Sequence, residues 1–198
     1  MCGQFAQEAV GYDLREQLGI DHGTLRLTPS ARIRPTERIS VVAVGSEGAE
    51  CFAMDWGLVL DGLARPVINA RGETLGQKPL FCEAFAQRRC LIPMTAWFEW
   101  RQEGRGKVGY RFARTGVFSV AGLWWPATQP GEAARVVMVT VSARAELQEY
   151  HGRMPLSLEA EAARQWLLSG PTALPEPLRT PIHIEPMITY GPRQENLF

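Results

Sequence analysis

The side chains best placed to do chemistry begin at the second position. The chain starts MCGQF, so Cys2 is one aminopeptidase cut away from being the N-terminal residue. An N-terminal cysteine carries a free amine and a free thiol on adjacent carbons, a pair that no internal cysteine offers. Cys51, Cys82 and Cys90 sit beside apolar neighbours and read as small core residues. Three polar islands interrupt apolar text further on. In VINARGET (67–74), Asn69, Arg71 and Glu73 alternate and would share one face of an extended segment. In AWFEW (96–100), Glu99 lies between Phe98 and Trp100 and shares a strand face with Trp97. A carboxylate among aromatics is costly to ionise, so its pKa should rise toward the range useful for proton transfer at neutral pH. In YHGRMP (150–155), His151 and Arg153 stand two apart in a polar segment with Gly and Pro, which reads as a functional loop.

Positioning these groups falls mainly to strands. Runs rich in β-branched and aromatic residues predict strands at 39–45, 51–60, 90–100, 117–125 and 135–143. Helical spacing of apolar residues predicts helices over 79–89 and 159–170, the second with Gly170 as its cap. Strands outnumber helices without βαβ alternation. The expected class is therefore α+β: a single domain over 1–198, built on a mostly antiparallel, curled or barrel-like sheet with a few flanking helices. The QENLF end reads as a tail.

Composition narrows the function classes. The chain has 198 residues, 45% hydrophobic and 21% charged, which excludes disorder and is enough for a real core. No stretch approaches a membrane span, and no export signal precedes the first polar residues, so a cytoplasmic address is expected. Four cysteines without a CxxC pair, and no close cluster with His22, His151 and His183, argue against zinc. Net charge is zero, against a protein that grips nucleic acid by bulk charge. Residues 65–114 nevertheless carry ten basic and four acidic side chains. Arginine dominates the basic residues, the better fork for phosphate or carboxylate, although a GC-rich genome would produce the same bias.

The ordered set MCGQF, INARGET, RRCLIPMTAWFEW, VAGLW and HGRMP resembles the SRAP family, the SOS-response-associated peptidases that attach covalently to abasic sites in single-stranded DNA. The resemblance runs along essentially the whole chain. It implies that Cys2 is catalytic once Met1 is removed, by the same site or by methionine aminopeptidase, with Asn69, Glu99 and His151 completing the site. It implies a DNA-binding surface including Arg71, Trp56, Gln4 and Arg153. It further implies a monomer acting without cofactor or metal on single-stranded DNA with abasic sites, away from membranes and at the nucleoid when DNA-bound.

The residues suit that chemistry. An α-amine titrates near ~7.7–8.0 against ~10.4 for lysine, so roughly one in ten is neutral at pH 7. Such an amine forms an imine with the aldehyde of a ring-opened abasic sugar, and the thiol closes on the same carbon to give a five-membered thiazolidine. Departures from the family pattern fall mostly at expected DNA contacts. Gln4 stands where arginine is usual, Arg34 where alanine is common and Arg144 where asparagine is common, and VLDGLARPV after Leu58 lacks a second tryptophan. Two other functions remain open: an N-terminal-cysteine glutamine amidotransferase-like hydrolase, and a non-catalytic DNA-damage-binding module on the same scaffold.

Overall fold

A computed structural model describes residues 2–8, 28–169 and 173–187. His22, Gly170 and the QENLF end lie outside the described residues. The strands are β1 (Phe5–Gln7), β2 (Ser30–Ile33), β3 (Arg38–Gly45), β4 (Gly48–Trp56), β5 (Asn69–Arg71), β6 (Arg89–Glu103), β7 (Gly106–Trp125), β8 (Arg135–Ser142), β9 (Arg153–Pro155), β10 (Ser157–Leu158) and β11 (His183–Pro186). Among the described residues two α-helices, α1 (Pro79–Gln87) and α2 (Ala160–Leu168), pack against them.

Five of the strands close into a ring, which makes the α+β sheet curled as expected. β3 pairs antiparallel with β4 along its whole length, from Arg38 opposite Asp55 to Gly45 opposite Gly48. β4 then meets β8 in parallel, β8 meets β7, β7 meets β6, and β6 returns to β3 through Val42 opposite Leu91. The long β6–β7 hairpin turns at Gly104, whose φ of +56° is a conformation that glycine adopts at no steric cost. A register shift between Met94 and Ala96 bends β6, as a bulge does.

That bend lets β6 serve two neighbours in succession. Its first part pairs with β3 and its second with β1, where Phe5 lies opposite Trp97. Pro93, which has no N–H to donate, sits between the two pairings. The buried Gln7 side chain bridges the opening: its Nε2 donates to Ser40 O at 2.7 Å and Pro93 O at 3.0 Å, and its Oε1 accepts from Ser40 N at 3.0 Å. Main-chain groups that the diverging strands would strand are thereby satisfied.

The ring encloses an aromatic and aliphatic core. Trp97 stacks on Phe112 at 5.2 Å, Trp56 meets Phe5 edge-on at 4.9 Å, and α2 inserts Trp166, whose indole donates to Cys90 O at 3.0 Å. Helix α1 starts with Pro79 in its first turn, where the missing N–H costs nothing, and buries Phe81 and Ala84.

Several boundaries differ from those read in the sequence. The strand predicted over 51–60 stops at Trp56, because Gly57 turns with a φ of +122° and packs so closely on Pro66 and Ile68 that a Cβ would lie 3.0 Å from Pro66. The strand predicted from 117 starts at Gly106, since RFARTG gains ladder partners in β6 and β11 that its composition does not advertise. VINARGET is extended only over Asn69–Arg71; Gly72–Thr74 coils into a 3₁₀ turn, so Glu73 does not continue the face of Asn69 and Arg71. Cys90 is buried, whereas Cys51 and Cys82 are only half-buried.

Candidate active site

The N-terminal strand carries the reactive position to its place. β1 is held on β6 by the Phe5 and Trp97 pairing and by Phe98 N–H donating to Gln4 O at 3.0 Å. Running antiparallel, the residues before Phe5 lie beside those after Trp97, which brings Cys2 against Glu99. Cys2 is 1% exposed and its thiol donates to Gln4 O at 3.4 Å. Asn69, at the start of β5, donates from Nδ2 to Cys2 O at 2.9 Å. The parallel register of β5 on β8 sets that reach, with Asn69 opposite Met138 and Arg71 opposite Thr140.

Burial dominates the electrostatics. It pushes the Cys2 thiol far above its usual range, and the Glu99 carboxylate pushes in the same direction. Glu99, 5% exposed, is raised by burial to about 7, against the opposing pull of the positive amino terminus. Its neighbours Trp97, Phe112 and Tyr150 supply the apolar wall. His151 is lowered by burial first and by the positive amino terminus second. Near neutral pH the cleft thus holds a carboxyl shared between its two protonation states, a neutral imidazole and an un-ionised thiol.

His151 comes from the loop between β8 and β9. A short 3₁₀ turn, Ala145–Leu147, ends with Tyr150 N–H and His151 N–H donating to Leu147 O at 3.0 and 3.1 Å. Tyr150 is pinned from outside by Arg101, whose guanidinium lies 4.8 Å from the Tyr150 ring and 5.2 Å from that of Tyr110. Arg101 also pairs with Glu103 and Glu149, each at 2.6 Å. Arg101 shares the Trp97 and Glu99 face of β6, so one strand supplies wall, carboxyl and clamp.

Glu99 and His151 thus line one pocket, and Cys2, held by Asn69, lies close enough to Glu99 to feel its charge. The residues expected to touch DNA separate into distinct environments. Arg71 is exposed at the end of β5. Arg153 is 16% exposed in its side chain and forms a forked pair with Glu73, at 2.7 and 2.8 Å, while also donating to Thr140 O at 2.6 Å. Trp56 is fully buried with its indole N–H given to Ile68 O at 3.0 Å, so it forms the floor under Phe5. Gln4 is 7% exposed, and its Oε1 has no hydrogen-bond partner among the described residues. Asn69 Oδ1 is likewise buried and unpartnered among them.

Sequence reasoning passed over Arg101 and Tyr150 as site residues, and read Glu73 on the face of Asn69 and Arg71 rather than as the partner of Arg153. Arg101 carried a signal in its spacing two residues after Glu99, and Tyr150 in its place beside His151; the Glu73 and Arg153 pair spans 80 residues and had none. Among the described residues no group of three His, Cys, Asp or Glu side chains gathers as a metal site requires. No helix among them is long and apolar enough to cross a membrane.

The model of the family described as "SOS response associated peptidase (SRAP)" matches residues 1–190. Abasic site processing protein YobE of Bacillus subtilis is 27% identical over 179 residues, covering 84% of this chain and 82% of YobE. Abasic site processing protein YedK of Escherichia coli is 29% identical over 176 residues, covering 84% of this chain and 79% of YedK. A crystal structure of a Bordetella bronchiseptica protein superposes with a TM-score of 0.75 at 21% identity, covering 95% of this chain and all of that one.

Proposed function

The chain belongs to the SOS response associated peptidase (SRAP) family, and from that premise we propose that it captures abasic sites in single-stranded DNA through a thiazolidine formed at Cys2. Relatives such as YobE and YedK are named as abasic site processing proteins, which supports abasic DNA as the substrate class. The observation that carries the reading is the seating of Cys2. Its carbonyl is held by Asn69 and its thiol is buried beside a carboxyl balanced near neutrality.

Removal of Met1 turns the Cys2 amide nitrogen into an α-amine. Asn69 Oδ1, unpartnered among the described residues, is then an acceptor of the kind an amine N–H requires. Protonated Glu99 gives its proton to the ring oxygen as the abasic sugar opens, and the carboxylate takes it back from the C1 hydroxyl, leaving an aldehyde. The neutral amine adds to that carbonyl carbon, the C–O bond breaks, and water leaves with an imine formed. His151, neutral at rest, takes a proton from the nitrogen that has added to the carbonyl and passes it to the departing hydroxyl, so that it ends neutral again. The thiol then adds across the C=N bond: sulfur bonds to carbon and its proton ends on nitrogen, closing the ring. The raised thiol pKa fits this order, with the amine first and the sulfur second, because no ready thiolate is present to attack alone.

The test is incubation of the processed protein with a single strand bearing one abasic site, beside a glutaminase assay. A heat-stable adduct without reductant supports the proposal. Glutamine hydrolysis without an adduct would replace it with the amidotransferase-like reading, and binding with neither product with the non-catalytic one.

A further inference from the structure

His151 is held through its Nδ1 by one residue's main chain. Arg153 N–H approaches Nδ1 at 2.9 Å, and Arg153 O lies 3.2 Å from the same nitrogen. In neutral imidazole the shorter contact makes Nδ1 the acceptor and places the ring proton on Nε2. When the ring is cationic, Nδ1–H turns donor to Arg153 O, so Arg153 serves both protonation states. The carriage of that main chain is set by its side chain. Arg153 is forked onto both Glu73 oxygens and donates to Thr140 O, and Glu73 Oε1 in turn accepts from Ser142 N at 3.2 Å. β9 is only three residues long, with Ser142 opposite Arg153 at its edge, so few ladder bonds hold this corner by themselves.

We propose that Glu73 is a positioning residue, which acts through Arg153 to fix the tautomer and orientation of His151; its bearing on catalysis rests on the abasic-capture reading above. Hydrogen bonds from Arg153 hold the Glu73 carboxyl down to about 2, so the clamp stays ionised throughout the neutral range. Among the described residues, the charged and titratable groups that share the His151 pocket are Glu99, Tyr150 and Arg153, and the positive amino terminus acts on the ring through its charge. Of these, Arg153 also touches the ring's Nδ1. Glu73 thereby links the 3₁₀ turn after β5, which follows Asn69 and Arg71, to the loop that carries the histidine.

The experiment is nitrogen NMR of the full chain labelled at histidine, which has three such residues, with His151 assigned by His151→Gln. In the parent protein near pH 7.5 the Nε2–H form should dominate. Glu73→Gln, which matches the carboxylate in shape but lacks its charge, should raise the Nδ1–H form severalfold, and Glu73→Ala should raise it further. Glu83→Gln, which removes a carboxylate on helix α1 that is paired with Arg88 and lies outside the clamp, should leave the spectrum unchanged. Crosslinking of abasic DNA should slow about tenfold in Glu73→Gln, part of the ~10²-fold that acid–base groups supply. A parent-like tautomer in both Glu73 variants, with the fold intact by backbone amide spectra, would overturn the proposal. The NMR measurement needs no DNA, so a tautomer shift in a protein that forms no adduct would uphold the clamp and overturn the capture reading instead.

Discussion

Replacing Glu99 with glutamine separates the chemistry of this carboxyl from its part in folding. Burial raises Glu99 from 4.5 to about 7, a difference of roughly 3 kcal/mol between its protonation states. Because the folded pKa is the higher one, the favourable contribution is complete below about 4.5 and is lost as pH rises through about 7. Glutamine resembles the protonated acid and never ionises. Glu99→Gln should therefore change stability little at pH 4 and raise it at pH 8.5. The ceiling of ~3 kcal/mol is reduced by ~1–2 kcal/mol for hydrogen bonding that only the carboxylate accepts. Proton transfer is lost in the same variant, so single-turnover crosslinking should slow by ~10²-fold or more. Affinity for an unreactive single strand should stay unchanged. Denaturant unfolding at the two pH values, run beside the crosslinking assay, reads both effects. Equal destabilisation at both pH values, or a loss of affinity that matches the loss of rate, would refute the reasoning and make Glu99 a structural residue.

Cys2→Ser keeps the amine and loses the sulfur, so it should give an imine that only borohydride traps, read as loss of the heat-stable band on a denaturing gel. Asn69→Ala removes the 2.9 Å bond to Cys2 O; with about 1–2 kcal/mol at stake, crosslinking should slow roughly 5–30-fold, measured as a single-turnover rate at saturating DNA. Arg71→Ala, at an exposed position after Asn69, should weaken binding of all single strands alike and reduce the slope of log K against log salt by about 0.7, measured by fluorescence anisotropy.

The strands forming the ring were legible because each is a run of β-branched and aromatic residues, and four of the five, all but β7, begin and end within four residues of the patterns read. Less visible were β1, β2 and β9 to β11. These are two to four residues long and exist through their partners, as when Phe5 pairs with Trp97 and Ile33. The raised Glu99 was legible in part: Trp97, two residues away, lines its pocket, whereas Phe112 and Tyr150 come from β7 and from the loop before β9, which local sequence does not reveal. Gln4 was read as a position along a DNA surface, but the antiparallel seat of β1 turns it inward. Trp56 likewise lies in the core, because the turn at Gly57 folds Ile68 back over its indole. The Glu73 and Arg153 clamp depends on the β5, β8 and β9 registers together, which no local pattern encodes.

Intact mass and peptide mapping of the adduct test most directly whether the chain end performs the chemistry. Processed protein reacted with an abasic single strand should give the mass of the chain without Met1, plus the oligonucleotide, minus one water, with the modification on the Cys2 peptide. An adduct on an internal lysine, or one formed equally well by a chain that retains Met1, would contradict it.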